Sequence, residues 1–585
     1  MATFKTPGVF IEEIPTLGSS IAGVPTAITG FVGYTEKATF LDGTSAANQP
    51  VRITSLLEFQ QIFGGPKNEQ FTVSLTGTVP TPTTFSVKPS TTLSNYILFY
   101  QIQMFYANGG GTCYIVSVGN YSSSILPATL IAGIDKLEQV DEVTLLVTPE
   151  SVFLNVNPGD RKSVYDHMAT QCAKLQDRFA VLDTVHTAGN TIFQDATAFR
   201  NGDIGADNLK YAAAYYPALN TPVQYYYLDA EVQINDARTG GSYNYNSVFN
   251  NSLFTINNGV ASYGKFKVLL NTLLAADTIT ISTVTLTPTV DFAVGTTVND
   301  TAINIKNAIN AHPILSAIVT AYIDNVTPAL DTVVVQSKIM GTVGNYLASS
   351  TTVTKISYTS GGVSTTTLDG GKDNSSDKTL YNAITTELSK YRLVLYPSAS
   401  MTGTYARVDS DRGVWKAPAN VGLSLVNEPS INITDEDQEN LNVDAVSGKS
   451  INAIRTFTGR GVLVWGARTL AGNDNEWRYI NVRRLFTYVE ESTKKATEFV
   501  VFEPNTANTW QRVKGMIEAF LTNLWRDGAL AGATTKDAFF VQVGLGTTMT
   551  ADDILNGKMI VTIGMAAVRP AEFIILQFEH KLQES

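Results

Sequence analysis

At 585 residues the chain is too long for one hydrophobic core, so we expect about three or four domains. Its net charge of −11 argues against nucleic acid as a main partner, because phosphate binding needs clustered Lys and Arg. Only 16% of the residues are charged, which suggests that partners cover much of the surface. Cys113 and Cys172 lie outside any CxxC pair, so neither a disulfide framework nor a zinc site is expected.

The first predicted element is a β-strand in the sequence "GVFIEEI". Val9 and Ile11 alternate with Phe10 and Glu12, and Ile14 closes the strand. The residues around it contain no basic region followed by an apolar run, so we expect no Sec-type signal peptide. The chain also lacks the roughly 18–20 uninterrupted apolar residues of a membrane helix, so direct membrane insertion is not expected.

The next segments predict short helices and strands separated by turns. "RITSLLEFQQIFGG" predicts a helix with Ser55 as N-cap and Gly64 at its end. Residues Thr72 to Thr92 are rich in Thr, Pro and Ser, and we predict a loop there. "SNYILFYQIQMFYANGGGTCYIVSVG" predicts a helix, a glycine turn and a strand.

The middle of the chain predicts an α/β domain interrupted by an insertion. "VTLLVTPE" and "DHMATQCAKLQDRFAVLDT" predict strand, helix and strand, which indicates parallel pairing. Between about residues 258 and 370 Thr, Val and Ile dominate, so we predict a small inserted β-rich domain. Its one predicted helix, "DTAINIKNAINAH", would be capped by Asp300. The apolar stripe of that helix consists of Ala302, Ile305, Ala308 and Ile309.

The carboxy-terminal region predicts two helices and a set of strands. The second helix ends at Gly528. Its apolar face consists of Val513, Ile517, Phe520, Leu521 and Leu524. The last predicted strand runs from Phe573 to Leu582, and nothing after it can pair with it, so it would be an open edge. Its apolar side chains include Phe573, Ile574, Ile575, Leu576 and Phe578.

Motifs for catalysis or cofactor binding are incomplete in this chain. The four histidines have no ligand spacing, and we interpret them as surface or satisfied interior residues. "GKS" at 448–450 lacks the earlier glycine of a phosphate-binding loop, because position 443 is Val443. "NGGGTC" precedes a strand and not a helix, which favours a tight turn. We therefore expect no catalytic residue, no metal site and no cofactor.

A cluster of arginines allows two interpretations. Arg478, Arg483 and Arg484 could bind an anion. Alternatively they form ion pairs with nearby carboxylates, which we favour. The candidate partners are Glu490, Glu491 and Glu503.

Further motifs follow one another in a characteristic order: "TPGVFIEEI", "TSLLEFQQIFGG", "NGGGTCYIVSV", "DRFAVLD", "AAAYYPAL", "GVWKAPAN", "GKSINAIRTFTGRGVLVWGARTLA", "WRYINVRRL", "FEPN", "LWRDGALAG", "FFV" and "RPAEFI". Together they resemble the sheath subunit of contractile tails, which contractile-tailed phages share with related injection machines. The resemblance covers the chain except the insertion. The closing stretch most resembles extracellular contractile injection systems of the antifeeding-prophage type. The insertion is similar to modules of some phage sheaths, so a phage tail stays an alternative.

The resemblance implies a fold class and a domain organisation. It implies a mixed α/β multidomain chain, with a sheath core, terminal β-strand arms and an inserted β-rich outer domain. The implied segments are the amino-terminal arm (1–20), an amino-terminal core segment (21–100), an α/β middle domain (101–257, resumed at 371–400), the insertion (258–370), the carboxy-terminal core (401–570) and the carboxy-terminal arm (571–585).

The resemblance also implies how subunits meet. Sheath subunits form stacked hexameric rings around an inner tube, and each subunit lends its terminal strands to sheets of its neighbours. The inter-subunit residues would be Val9, Phe10, Ile11, Glu12 and Ile14 in one arm, and Phe573, Ile574, Ile575, Leu576 and Phe578 in the other. We expect Ile574, Leu576 and Phe578 to pack on a core helix. Lys494 and Lys495 are candidates for a tube contact, and a solvated helix face is the alternative.

The implied partners are other copies of the chain, the inner tube protein, and baseplate and terminal cap proteins, with sheath paralogues as a further candidate. Assembly in the bacterial cytoplasm would precede release within an extracellular particle or a phage tail. Contraction would need no nucleotide. Two other classes stay open: a non-contractile decoration or baseplate binding protein, and an enzyme with an unrecognised site. The paired terminal strands favour the sheath over the first, and the lack of convergent catalytic groups disfavours the second.

Overall fold

A computed structural model describes residues 21–77, 82–154, 159–228, 232–236, 241–244, 261–324, 330–340, 344–350, 354–361, 366–369 and 378–575. The chain divides into two compact units. The first consists of Met1–Lys67, Ser94–Tyr226 and Arg392–Ser585, and the second of Asn68–Leu93 and Tyr227–Tyr391. Within the described ranges, no helix combines the length and apolarity that crossing a membrane requires.

Strands and helices alternate along much of the chain. The strands are β1 (Thr29–Thr35), β2 (Val51–Ile53), β3 (Phe71–Gly77), β4 (Pro82–Pro89), β5 (Cys113–Asn120), β6 (Leu145–Val147), β7 (Phe179–Asp183), β8 (Ala212–Tyr216), β9 (Leu219–Gln224), β10 (Gln233–Asp236), β11 (Gly241–Asn244), β12 (Ala261–Val268), β13 (Ile279–Ile281), β14 (Val284–Leu286), β15 (Val319–Ile323), β16 (Thr332–Met340), β17 (Ala348–Ser350), β18 (Ile356–Ser360), β19 (Arg392–Leu395), β20 (Val421–Gly422), β21 (Glu428–Pro429), β22 (Ile451–Phe457), β23 (Gly461–Val464), β24 (Phe539–Val543) and β25 (Val561–Met565). The α-helices are α1 (Leu56–Phe63), α2 (Leu98–Ala107), α3 (Pro127–Leu137), α4 (Asp160–Leu175), α5 (Ile192–Ala198), α6 (Val298–Ala311), α7 (Leu315–Ile318), α8 (Lys378–Leu388), α9 (Ser398–Arg412), α10 (Asp435–Asn442), α11 (Ile480–Thr497), α12 (Ala507–Arg526), α13 (Thr535–Ala538) and α14 (Ala551–Leu555).

The first unit is built on a nine-stranded mixed sheet of order β2-β5-β1-β6-β7-β8-β22-β23-β20. The strands from β5 to β22 in this order pair in parallel, and antiparallel strands complete both edges. Strands β1, β7 and β8 are buried along their whole length, as expected where helices cover both faces of a parallel sheet. The predicted order of strand, helix and strand with parallel pairing is confirmed by β6, α4 and β7.

Local signals near the amino end predict the structure correctly. The Ser55 hydroxyl accepts a hydrogen bond from the backbone N–H of Glu58 (3.2 Å) and so caps α1. Gly64 follows the helix with a φ of 83°, a conformation that favours glycine. The predicted helix, glycine turn and strand correspond to α2, a turn at Gly109 and β5.

The prediction of a loop between Thr72 and Thr92 is wrong. Strands β3 and β4 pair there as an antiparallel hairpin, within a sheet of order β11-β10-β3-β4 in the second unit. Phe71, Val73 and Leu75 are buried, whereas the polar residues between them are not. This period of two decides the structure, although Thr, Pro and Ser dominate the composition.

The rest of the second unit contains two further sheets, β15-β16-β12-β18 and β14-β13-β17, with α6 packed against β15 and β16. The prediction that Asp300 is the N-cap of α6 is wrong, because the helix begins about one turn earlier in the sequence. Thr297 is the N-cap, and its hydroxyl accepts from the backbone N–H of Asp300 (3.1 Å). Asp300 completes a capping box by accepting from the backbone N–H of Thr297 (3.0 Å). Of the predicted stripe, Ala302, Ile305 and Ile309 are buried and Ala308 is half-buried.

The carboxy-terminal module, which we define as residues 480–567 of the first unit, has its own hydrophobic cluster. The cluster joins α11, α12 and the antiparallel pair β24-β25. The predicted apolar face of α12 is confirmed, since all five of its residues are buried. Ile21 and Val414 join the same cluster, so the segment that follows residue 20 packs on this module.

Candidate functional site

The described histidines have hydrogen-bond partners within the chain. In the part of the chain that the structure describes, no group of three or more His, Cys, Asp or Glu side chains could hold a metal ion. Three histidines have local partners: His167 with Asp135, His186 with Asp195, and His312 with two backbone N–H groups. Their interpretation as satisfied residues is confirmed, while His580 lies outside the described residues.

Two buried carboxyl groups have strongly raised pKa values, and both cap helices. Burial raises the pKa of Glu150 to about 8 and that of Asp183 to about 7. Glu150 Oε1 accepts from the backbone N–H of Leu98 (2.8 Å), where α2 begins. Asp183 Oδ1 accepts from the backbone N–H of Ser398 (2.8 Å), where α9 begins. Perturbed carboxyl groups suggest catalysis when they face a cleft, but these two stabilise helix starts inside the core.

An open apolar groove of about 940 Å³ runs through the carboxy-terminal module. Helices α11 and α12 form its walls, β25 lines a third side, and the loop after α11 contributes Val500 to Asn505. The helices contribute residues three or four positions apart, which share one helix face. Strand β25 contributes every second residue, as one face of a strand must. The main lining residues are Phe486, Val489, Thr493 and Thr497 on α11, Thr509, Val513 and Ile517 on α12, and Val561, Ile563 and Met565 on β25.

The strand beside this groove has a free edge. β25 pairs only with β24 among the described strands, from Phe539 opposite Met565 to Val543 opposite Val561. The backbone N–H of Ala566 continues this ladder by donating to the carbonyl of Ala538 (2.8 Å). Because backbone groups of successive residues point to opposite edges, those of Ile563 point away from β24. A two-stranded sheet is marginal alone, so a free edge next to an apolar groove is suited to an added strand.

The loop between α11 and α12 places apolar side chains at the groove. Val501 and Phe502 line it, and Phe502 is 103% exposed. The backbone of Phe502 has a φ of 70°, which is uncommon for a bulky residue and costs conformational energy. An exposed phenyl ring held in this way provides apolar surface for a partner.

The predicted arms differ in how much of them the structure describes. Val9, Phe10, Ile11, Glu12 and Ile14 lie outside the described residues, as do Leu576 and Phe578. Phe573, Ile574 and Ile575 are described, belong to no strand, and are 72%, 79% and 82% exposed. The expected packing of Ile574 on a core helix is therefore absent among the described residues of a single chain. Its side chain is available to another molecule.

The arginine cluster is engaged within the chain, but only part of the predicted ion-pair cluster is found, since Glu491 pairs with Lys494 and Lys495. Arg483 lies 2.7 Å from Glu490, which confirms one predicted pair. Arg484 is paired with Asp409, a partner 75 positions away that the sequence did not indicate. Arg478 Nε donates to a backbone carbonyl, that of Gly472 (2.9 Å).

Lys494 and Lys495 have different surroundings. Lys494 is mostly exposed, borders the groove and lies 3.2 Å from Glu491. Lys495 lies 2.5 Å from Asp141 and 3.6 Å from Glu491. Successive residues on a helix are about 100° apart, so the two ammonium groups do not share one direction. A tube contact through them stays a prediction.

Comparison with known proteins identifies the region that contains the groove. The family described as the phage tail sheath C-terminal domain matches residues 472–581. The curated tail sheath protein of Vibrio phage KVP40 is 28% identical over 127 residues. That match spans 22% of this chain and 19% of the phage protein, which is less than two thirds of the relative's length.

Solved structures of injection systems are similar over nearly the whole chain. A chain of the contracted PVC sheath complex, an extracellular contractile injection system, is 25% identical with a TM-score of 0.52, and the match covers 99% of both chains. A chain of the six-fold symmetrised anti-feeding prophage baseplate is 26% identical with a TM-score of 0.53, covering 99% of this chain and 100% of that one. A chain of the contracted anti-feeding prophage helical sheath is 25% identical with a TM-score of 0.51, and the match covers 99% of this chain and 100% of that one.

Residues 472–581 match the sheath C-terminal domain, and nearly the whole chain is similar to solved sheath and baseplate proteins of contractile injection systems. These matches support the resemblance to a contractile tail sheath subunit inferred from the motifs, and the mixed α/β multidomain fold of the chain agrees with the solved relatives. The family is structural, and the absence of enzymatic activity stays a prediction. Sequence reasoning missed the groove because α11, α12 and β25 come from separate stretches of the chain. The alternation of the apolar residues Val561, Ile563 and Met565 was the one feature of the local sequence that pointed to the groove.

Proposed function

We propose that this sheath protein is a structural subunit that polymerises as stacked hexameric rings around an inner tube and contracts to drive that tube through a target envelope. The observation that carries the proposal is the free edge of β25 beside the apolar groove. Terminal strands of neighbouring copies would add to the two-stranded sheet and bury their apolar faces in the groove.

Strand addition suits the chemistry of both surfaces. The edge of β25 offers main-chain hydrogen bonds, and the groove takes alternate side chains, which together give affinity and register. Ile574, Leu576 and Phe578 have this alternation. Fully burying three such side chains would contribute about 5–9 kcal/mol before the cost of ordering the arm. The same linkage would recur between every pair of neighbours.

Contraction would then be a change of packing between tethered subunits. The extended sheath would be metastable and held by tube and baseplate, and domains would move as rigid bodies while the arms keep subunits joined. Expected partners are copies of the chain, tube, baseplate and cap proteins, and sheath paralogues as a further candidate. The relatives from injection systems favour a particle assembled in the bacterial cytoplasm and then released, and the phage relative supports a phage tail as the second candidate.

Polymerisation of the chain alone provides the direct test. Expressed by itself and concentrated, the protein should form tubular polymers that negative-stain electron microscopy resolves as stacked rings. A decoration protein, a baseplate binding protein or an enzyme should stay as separate particles. Separate particles that persist even after addition of the inner tube protein would contradict the proposal.

A tube contact at α11 predicts a charge effect. Reversing both charges in Lys494→Glu/Lys495→Glu should lower co-assembly of sheath and tube at least tenfold, measured by co-sedimentation. The matched control is Lys514→Glu/Lys536→Glu, which makes the same change of charge on α12 and α13. If Lys494→Glu/Lys495→Glu co-assembles with the tube as well as the control variant does, the contact is excluded.

A further inference from the structure

The segment that leads into the carboxy-terminal arm is held by a buried arginine. Arg468 Nε donates to Glu572 Oε1 (2.9 Å), and its Nη2 donates to Oε2 (2.5 Å). The Tyr479 hydroxyl donates to the same Oε2 (3.2 Å). The side chain of Arg468 is 4% exposed, whereas Phe573, directly after the pair, is 72% exposed. Glu572 is therefore held by hydrogen bonds, whereas the next residue, Phe573, has a largely exposed side chain.

The segment that follows the amino-terminal arm is held in the same way. Arg484 Nη2 donates to the backbone carbonyl of Thr26 (2.9 Å), and its Nη1 donates to Asp409 Oδ1 (2.9 Å). The Thr26 hydroxyl donates to Asp409 Oδ2 (2.6 Å). Slightly nearer the arm, the backbone N–H of Val24 donates to the hydroxyl of Ser492 on α11 (3.1 Å). Arg484, like Arg468, has a side chain that is 4% exposed.

Both holding points belong to one end of α11. Arg484 lies in the first turns of this helix, and Tyr479 is its N-cap residue. Arg468 forms an antiparallel bridge with Tyr479, so its backbone is fixed to the same point. At about 1.5 Å per residue, the positions of Tyr479 and Arg484 are separated by roughly 7 Å along the helix axis. One rigid helix end thus sets the separation of the two segments.

The carboxy-terminal holding point is also tied to the central sheet. Asn452 on β22 accepts from the backbone N–H of Arg468 (2.7 Å) and donates to its carbonyl (2.8 Å). Burial, with the added charge of Glu572, raises the pKa of Tyr479, so its hydroxyl stays protonated and continues to donate. The contacts thus connect the start of the arm to β22 as well as to α11.

We propose that Arg468 and Arg484 are positioning residues that fix where, and in which direction, the two arms leave the subunit. The inference rests on the proposed strand exchange. A strand that adds in the wrong register by one residue presents its other face to the groove, so the starting point of each arm must be defined. A bidentate guanidinium–carboxylate pair defines direction as well as distance, which a single ammonium group does not. The two arginines would thereby set how neighbouring subunits are spaced in the sheath.

Loosening one holding point should be visible in the isolated subunit. Nitroxide labels at Ile574→Cys and Ala519→Cys, on the arm and on α12, report the distance between them by pulsed electron resonance, since Cys113 and Cys172 are buried. In the monomeric fraction of the full chain, Glu572→Gln should at least double the width of the distance distribution. Arg569→Gln, which changes an exposed neighbour, should leave the width unchanged. An unchanged width in Glu572→Gln would overturn the proposal.

Assembly provides the second readout and separates this inference from the proposed function. Glu572→Gln and Arg484→Lys should each lower the yield of tubular polymer at least tenfold, while circular dichroism shows an unchanged fold. If Glu572→Gln unfolds, Arg468→Lys, which keeps the charge, takes its place; if Arg484→Lys unfolds, Thr26→Val, which removes the hydrogen bond from Thr26 to Asp409, takes its place. Normal polymer yield in folded variants would overturn the positioning role. Normal polymer yield after removal of the arms themselves would instead overturn strand exchange, and the distance measurement would still decide whether the arginines hold the segments.

Discussion

Deletion of residues 1–14 should leave a folded subunit that cannot build a sheath. Every residue of the hydrophobic clusters lies at Ile21 or later, so the truncation removes no described core residue. It does remove the predicted amino-terminal strand, and with it one of the strands that neighbours would exchange. Circular dichroism should show a melting temperature within a few degrees of the full chain, and negative-stain microscopy should show no tubes.

A variant of unchanged length separates the strand from the mere presence of the segment. Val9→Lys/Ile11→Lys keeps the length but replaces one apolar face of the predicted strand with charges, and it should prevent polymerisation as the deletion does. Glu12→Gln, on the other face, should assemble normally. Contractile sheaths formed from the truncated chain would show that the amino-terminal arm is not needed.

Substitution of Ile563 by Lys should abolish assembly, because it changes the groove that would receive the arm of a neighbouring subunit. Ile563 lines the groove from β25, and its backbone groups point to the free edge. An arm that packs there would lose an apolar contact of about 1.5–3 kcal/mol and would meet a charge that it cannot pair. Each interface would weaken about tenfold to a hundredfold or more, and a polymer multiplies that loss over its contacts. Sedimentation of the protein at increasing concentration should show only monomer.

The neighbouring residue supplies the control. Thr562 is exposed on the opposite face of β25, so Thr562→Lys adds the same charge to the same strand without entering the groove. This variant should polymerise as the unmodified chain does. Normal assembly of Ile563→Lys as well as Thr562→Lys would mean that the groove does not receive a strand. Loss of assembly in both would indicate a general effect of charge on this sheet.

Much of the local structure could be predicted because it depends on neighbours in sequence. The cap at Ser55, the apolar face of α12 and the parallel arrangement of β6 and β7 follow from hydrogen bonds and periodicities a few residues long. The loop prediction between Thr72 and Thr92 was wrong because the content of Thr, Pro and Ser is typical of loops, whereas the alternation of apolar and polar residues in β3 favours a strand. At α6 a capping box contains two plausible caps, and the sequence alone does not distinguish them.

The interaction site depended on the tertiary structure. The groove needs α11, α12 and β25 side by side, and neither spacing nor composition predicts that arrangement. The ion pair of Arg468 with Glu572 spans 104 positions, and that of Arg484 with Asp409 spans 75. A buried guanidinium pairs with whichever carboxylate the fold brings close, and Asp409 was not among the carboxylates that sequence proximity suggested for the arginine cluster.

The sequence by itself indicated the resemblance to a sheath subunit, several of the described strands and helices, and the alternating apolar residues of the two predicted arms. Those features are local, because side-chain period and turn chemistry act over a few residues. Only the tertiary structure decided that β25 keeps a free edge beside an apolar groove among the described strands, and that buried arginines hold the segments leading into both arms. These are properties of packing between distant segments, whose free energy exists only once the chain has folded.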